Sequence, residues 1–305
     1  MAEGKKIFVG NYKGGVGKTT SIYQIALHLA EAKKRVLLID LDPQCSLSEI
    51  CLTRIDRHLE QLGNNESLNF VYDLWEQFKQ YPYLRYTIDP TTLIKKTPEQ
   101  IHFIPSNLFY KNGGLDQIAS KLCDDFEDLV VLQQFFQSTG LEGKYDYILF
   151  DCPPSNNVIT QGAFLLSDYY LIPSIIQTMS IRGVVHYTKS VEKIYNHYCD
   201  DHKKADLAKL LFGPKPKLIG IFETLKKTNV NNVNAIKDLK SDLKGAGIKS
   251  VLSDMEDGNY LFKTVIRHYE AIARDTADGK KRSEYAELTD EILFCVEPNI
   301  FNSLI

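Results

Sequence analysis

Between residues 13 and 20 the chain reads Lys13-Gly14-Gly15-Val16-Gly17-Lys18-Thr19-Thr20. The apolar run Ile7-Phe8-Val9 precedes it, and Ile22, Ile25, Ala26 and Leu29 recur behind it at helical spacing. Strand, glycine turn and helix in that order form the setting a phosphate-binding loop needs. Without Cβ atoms, glycines let backbone N–H groups close around phosphate oxygens. The helix N-terminus adds unpaired donors and the positive end of its dipole. Lys18 is spaced to reach the terminal phosphates of a nucleotide, and the Thr19 hydroxyl to meet Mg²⁺.

Two acidic strand ends answer this loop downstream. Val36-Leu37-Leu38-Ile39 is continuously apolar, as a parallel strand covered by helices on both faces is, and it runs into Asp40-Leu41-Asp42-Pro43-Gln44. Tyr147-Ile148-Leu149-Phe150 repeats the pattern and ends in Asp151-Cys152-Pro153-Pro154-Ser155. Ligands of open α/β sheets bind at the carboxyl ends of the strands, so Asp40, Asp42 and Asp151 belong at the same edge as the glycine loop. A carboxylate there suits Mg²⁺ and its water shell.

The rest of the chain alternates in the same way. Tyr169–Ser174 and Lys217–Phe222 read as further strands, Ile181–Tyr198 and Ser283–Cys295 as helices, and Lys249–Leu252 as a short edge strand. Leu68, Val71, Tyr72, Leu74, Trp75 and Phe78 outline an amphipathic helix. Ile101–Ile104 is a short strand, and the pattern from Leu115 to Leu132 reads as one long helix. The expectation is an α/β fold: a doubly wound, mainly parallel sheet flanked by helices, in a single domain over residues 1–305.

With 44% hydrophobic and 25% charged residues, the composition is that of an ordinary globular protein. The formal net charge of −3 argues against an overall cationic coat but leaves room for a local basic face. Cys45, Cys51, Cys123, Cys152, Cys199 and Cys295 form no CxxC pair and no Cys/His metal spacing, so free thiols are expected. Met1–Lys6 runs directly into the first strand without room for a signal peptide, and no apolar run reaches the roughly twenty residues of a membrane span. A cytoplasmic protein is the expectation.

A second lysine, Lys13, opens the loop, and an ordinary phosphate loop does not require it. Lys13–Thr19 matches without a mismatch the KGGVGKT signature of the deviant Walker A family of ParA and MinD ATPases, which the chain resembles. Asp40–Gln44 is similar to that family's DxDPQ segment, Asp151–Ser155 to its DCPPS motif, and Ile104–Leu108 to its IPSNL segment. Leu218–Thr224 resembles the strand whose end contacts the base, and Val265-Ile266-Arg267-His268-Tyr269 stands where the family has IPRN, without the proline.

The resemblance implies ATP and Mg²⁺ as cofactors, held by Gly14, Gly15, Val16, Gly17, Lys18, Thr19 and Thr20. It implies Thr19, Asp40 and Asp151 at or near the metal, Asp42 beside the attacking water, and Lys13 reaching the nucleotide of a second subunit. Thr224 and Arg267 would stand near adenine. A slow ATP hydrolase follows, which dimerises with ATP, binds DNA without sequence preference, sits on the nucleoid, and takes its trigger from a ParB-like or other adaptor. Its cargo would be a plasmid, a chromosome or a protein assembly.

Candidate phosphate-neutralising side chains are Arg182, Lys189, Lys193, Lys203, Lys204, Lys215, Lys217, Lys226 and Lys227, followed by Lys263, Arg267 and Arg274. Two relatives of the same fold compete with this reading. A MinD-like membrane switch would end in a basic amphipathic helix, whereas this chain ends Glu297-Pro298-Asn299-Ile300-Phe301-Asn302-Ser303-Leu304-Ile305. A reductase of the nitrogenase iron protein type needs glycine-flanked cysteines for an interfacial cluster, a setting that Cys123 and Cys152 lack.

Overall fold

Eight strands form one sheet in the order β3-β4-β2-β5-β1-β6-β7-β8 in the computed structural model. In chain order they are β1 (Lys5–Val9), β2 (Val36–Asp40), β3 (Lys95–Lys96), β4 (His102–Ile104), β5 (Tyr147–Asp151), β6 (Tyr169–Ser174), β7 (Lys217–Lys226) and β8 (Leu261–Arg267). The structure describes residues 3–81, 83, 87–122, 126–227, 232–256, 258–268 and 271–297, with backbone alone at 178 and 179. Cys123, Tyr269 and the tail after Glu297 lie outside the described residues. All strand pairings are parallel except that of β3 with β4.

Side chains alternate across a pleated strand, and here the alternation divides the core in two. Phe8, Leu37, Ile39, Ile148 and Phe150 point to one face, beneath helices that include Leu68–Gln80, Val131–Thr139, Val158–Leu166 and Thr178–Tyr195. Ile7, Val9, Val36, Leu38, Tyr147 and Leu149 point to the other, beneath helices Lys18–Glu31, Ser46–Thr53 and Ser283–Val296. Strands covered on both sides have no polar positions to spare, which is why β2 and β5 read as unbroken apolar runs.

Three expectations about elements need correction. The pattern from Leu115 to Leu132 is not one helix: Leu115–Lys121, Phe126–Leu129 and Val131–Thr139 are separate pieces, and the apolar spacing persists because each piece faces the same core. Helix Thr178–Tyr195 ends three residues before Tyr198 and continues as a π-helical turn over Asn196–Asp201. Lys249–Leu252 is not the edge strand. Only Ser250 bridges Leu218, and Ser250 then caps helix Val251–Met255, its Oγ accepting the Ser253 N–H at 3.0 Å while Ser253 Oγ accepts the Ser250 N–H at 2.8 Å.

The real edge is β8, paired with β7 through an irregular register. Its outer N–H groups are not left bare. Glu291, on the last helix, accepts the N–H of Lys263 and that of Thr264, each at 2.8 Å, and the Thr264 hydroxyl as well.

Candidate nucleotide site

The site begins where β1, β2 and β5 end side by side. Register pairs Val9 with Asp151 and Asp151 with Asp40, so the glycine loop and both carboxylates leave the sheet at one level. Gly15 and Gly17 hold φ of 69° and 77°, the left-handed region that glycine enters without a steric penalty. Gly17 caps helix Lys18–Glu31 with no side-chain hydrogen bond, so the first amides of the helix are free of an internal acceptor. An added Cβ at Gly14 or Gly15 would meet nothing within 4 Å, so the loop mouth is open on that side.

The loop is braced from below. Val16 is fully buried, and its carbonyl accepts the Thr224 hydroxyl at 2.8 Å. Asn11 donates its side-chain amide to the Pro173 carbonyl at 2.8 Å and accepts the Lys13 N–H at 3.1 Å. Lys18, largely buried, folds back so that Nζ lies 3.5 Å from the Lys13 carbonyl. Lys13 is exposed, its Nζ 3.4 Å from Ser180 Oγ on the helix after β6. Thr19 and Thr20 are half-buried at the start of the first helix.

The two strand-end carboxylates differ in how they are held. Asp40 Oδ1 accepts the Asp42 N–H at 3.0 Å, and Oδ2 accepts the Ser48 N–H at 2.9 Å and its hydroxyl at 2.6 Å. Burial still outweighs those bonds, and with Asp42 adding its negative charge the Asp40 carboxyl is raised to about 6. Asp151 is fully buried, and neither of its oxygens has a hydrogen-bond partner. Burial first, then the charge of Asp40, holds its carboxyl well above the usual range, although Thr19 and Lys18 pull the other way. Asp42 is half-buried, and its Oδ1 accepts the Gln44 N–H at 2.9 Å.

Buried carboxylate oxygens without partners cost several kcal/mol unless something positive comes to them. Asp151 therefore fits a cation. Among the described residues no group of three or more His, Cys, Asp or Glu could hold a metal by itself. A hard ion that takes one or two carboxylates and draws its other ligands from phosphates and water suits that sparse donor set, and Mg²⁺ is such an ion. Thr19, Asp40 and Asp151 are the residues that would hold it.

Thr224 and Arg267 are brought to the same half of the sheet edge but are placed differently. Thr224 is buried with its hydroxyl proton engaged by Val16, so it fixes the loop. Arg267 is exposed at the end of β8, in register with Lys226. Of the basic residues nominated for DNA, Lys204, Lys215, Lys226 and Lys263 hold ion pairs with Glu127, Glu192, Glu223 and Glu256 at 3.0–3.2 Å. Arg182, Lys189 and Lys193 are exposed along helix Thr178–Tyr195. Two residues to which the reading of the sequence assigned no role, Ser48 and Ser106, touch Asp40 and the Asp42 carbonyl.

A glycine loop at a helix N-terminus, flanked by two strand-end carboxylates on a parallel sheet, defines a phosphate-loop nucleotide-binding protein. A family model described as an AAA domain, AAA_31, matches residues 4–209. The chain belongs to that family and, within it, to the ParA-type partition ATPases of the ParA/MinD superfamily. It is 30% identical over 200 residues to the sporulation initiation inhibitor protein Soj of Bacillus subtilis, spanning 65% of this chain and 69% of that one. Its fold is shared with a plasmid partition protein of Borrelia burgdorferi solved with AMPPNP, at TM-score 0.65 and 21% identity over 99% and 100% of the two chains. Cobyrinic acid a,c-diamide synthase of Mycobacterium smegmatis, solved with an ATP analog and magnesium, superposes at TM-score 0.62 and 21% identity over 95% of each chain.

Among the described residues no helix is long and apolar enough to cross a membrane. Cys45, Cys51, Cys152, Cys199 and Cys295 are free and buried.

Proposed function

We propose that the protein is an ATP-dependent dimerising ATPase that binds DNA without sequence preference and positions or segregates a cargo. The observation that carries the nucleotide part is Asp151: a buried carboxylate whose oxygens hold no hydrogen bond among the described residues, paired in register with Asp40 on one side and with Val9, the end of the strand that leads into the glycine loop, on the other. ATP would rest its phosphates on the amides of Gly14–Thr20 and on Lys18. Bound Mg²⁺ would neutralise charge that accumulates on the phosphates during transfer to water.

The chain's own residues supply position. Asp42, whose Oδ1 accepts the Gln44 N–H, would stand beside the attacking water. Thr224 keeps the loop from sagging when phosphate is absent. Among the described residues Lys13 has no acidic partner and its side chain is exposed, which suits a residue that completes the nucleotide site of a second copy. An adaptor, ParB-like or other, would set the rate of turnover and release. Arg182, Lys189 and Lys193 support the DNA part, since cations spaced along one exposed helix neutralise backbone phosphates and would be doubled in a dimer.

Size-exclusion chromatography with light scattering tests the reading. The wild type and Asp42→Ala should dimerise with ATP and not with ADP, and Lys13→Ala should bind ATP yet stay monomeric or idle. DNA retention should follow the dimer. Equal retention with ATP and ADP would sink the nucleoid part, and a Lys13→Ala protein that dimerises and turns over normally would sink the shared site.

A further inference from the structure

Behind the Asp40–Asp42 turn two serines form a relay that no motif assigns. Ser48 Oγ gives its proton to Asp40 Oδ2 at 2.6 Å, which leaves its lone pairs to accept the Ser106 N–H at 2.9 Å. The Ser106 hydroxyl then has three acceptors in reach: the Asp42 carbonyl at 3.2 Å, Cys45 Sγ at 3.2 Å and Ser48 Oγ at 3.4 Å. Both serines are buried, at 1% and 0% exposure, so water does not compete for these bonds. Ser48 sits on helix Ser46–Thr53 and Ser106 in the loop after β4, so the relay joins two elements to the turn that carries Asp42.

The turn itself needs holding. Cys45 closes it with φ of 57°, its N–H on the Asp42 carbonyl at 2.9 Å, in a backbone region that side chains with a Cβ enter at a cost. The same Asp42 carbonyl therefore accepts twice, from Cys45 N–H within the turn and from Ser106 Oγ outside it. Fixing that peptide fixes where the Asp42 side chain begins.

We infer that Ser48 and Ser106 are positioning residues for Asp42: they hold the turn in the geometry hydrolysis requires, and they do so before nucleotide arrives. The inference rests on the reading of Asp42 as the group beside the attacking water. Because the bonds run through the turn and leave the phosphate loop alone, their loss lowers kcat and spares ATP affinity. Positioning errors of this kind cost about tenfold in rate for each 1.4 kcal/mol of lost alignment.

The test uses the full chain carrying Ser106→Ala, Ser48→Ala, Ser48→Thr or both alanines. The alanine variants should each lose about tenfold in kcat, with KM for ATP and the affinity for a non-hydrolysable analog within about twofold of wild type. The double variant should lose little more than either single, because both cut one relay, and Ser48→Thr, which keeps the hydroxyl, should restore turnover. Hydrogen exchange on the nucleotide-free protein gives a readout without turnover: the amides of Gln44 and Cys45 should exchange about tenfold faster in both alanine variants. Unchanged kcat, or a KM rise with kcat intact, overturns the inference. So does a lowered Tm with normal kcat and normal exchange. If the wild type itself shows no turnover, the reading of the site as an ATPase fails, and the exchange rates alone then decide whether the relay holds the turn.

Discussion

Asp151 and Glu223 stand in the carboxyl-terminal parts of two parallel strands of one sheet, both are buried, and their surroundings are opposite. Glu223 is fully engaged: Asn232 Nδ2 donates to Oε1, Lys226 Nζ donates to Oε2 at 3.1 Å, and Lys226 also reaches Asn232 Oδ1 at 3.2 Å. Neither oxygen of Asp151 holds a hydrogen bond among the described residues, and only Thr19 and Lys18 draw on its carboxyl from nearby. One half of the sheet neutralises its buried charge internally, as a folded protein ordinarily does. The other half leaves a charge uncompensated beside a ready anion cradle, and the residue types alone do not distinguish the two. The difference separates a carboxylate that serves the fold from one that waits for a ligand.

The largest break in this comparison comes from Asp151→Asn. Turnover should fall by at least about a hundredfold in steady-state assays, since one charge proposed to hold the cation is gone. Without nucleotide and in EDTA the same variant should be more stable than wild type by about 1–2 kcal/mol in urea titrations, because an unpaired buried charge has been removed. Mg²⁺ with ATP should reverse that ranking. The pH dependence has a fixed sign. Asp151 and Asp40 are both raised above the ordinary 3.8, Asp40 to about 6, so the folded state holds their protons longer than the unfolded chain does. Their stabilising contribution is full below about pH 4 and is lost as pH rises through the folded-state value. The advantage of Asp151→Asn over wild type should therefore widen between pH 4 and 7 in the absence of Mg²⁺ and nucleotide. A constant gap would mean that folding does not raise the Asp151 carboxyl.

Glu223→Gln should act in the opposite sense and less strongly. Stability should drop by about 1–3 kcal/mol with Lys226 and Asn232 left short of an acceptor, while kcat of the folded enzyme stays within twofold. A large loss of kcat would erase the distinction between the two carboxylates. The smallest effect expected is from Cys45→Gly. Relief of the left-handed backbone at residue 45, about 1 kcal/mol, is opposed by the loss of a buried thiol that Ser106 touches, so the urea midpoint should fall only slightly with m unchanged.

Most of the fold and half of the site were legible in the sequence, and the reasons are local. β1, β2, β5 and β6 are read from their apolar runs, because helices bury them on both faces, and the glycine loop marks its own place by the left-handed backbone at Gly15 and Gly17. Asp40, Asp42 and Asp151 followed from strand ends that register then aligned. What stayed hidden was tertiary. β8 mixes Lys263, Thr264 and Arg267 with its apolar residues because its outer side is an edge, so no run announced it. Ser250 and Ser253 turned a strand-like stretch into a helix by capping each other. The Thr224 hydroxyl is engaged by a carbonyl 208 residues away, and Ser106 meets Asp42 across 64 residues. No spacing rule reaches such pairs.

The treatment of the sheet's two margins has a consequence for how copies of the protein meet. β3 is two lysines long and offers little ladder for another strand to extend. β8 is seven residues long, and Glu291 occupies the N–H groups of Lys263 and Thr264 that a stranger's strand would otherwise seize. The proposed pairing through the nucleotide face would thereby not compete with irreversible pairing through the backbone. Glu291→Ala should leave the monomer folded and its chemistry intact, yet let copies associate slowly along β8, which light scattering over time would register.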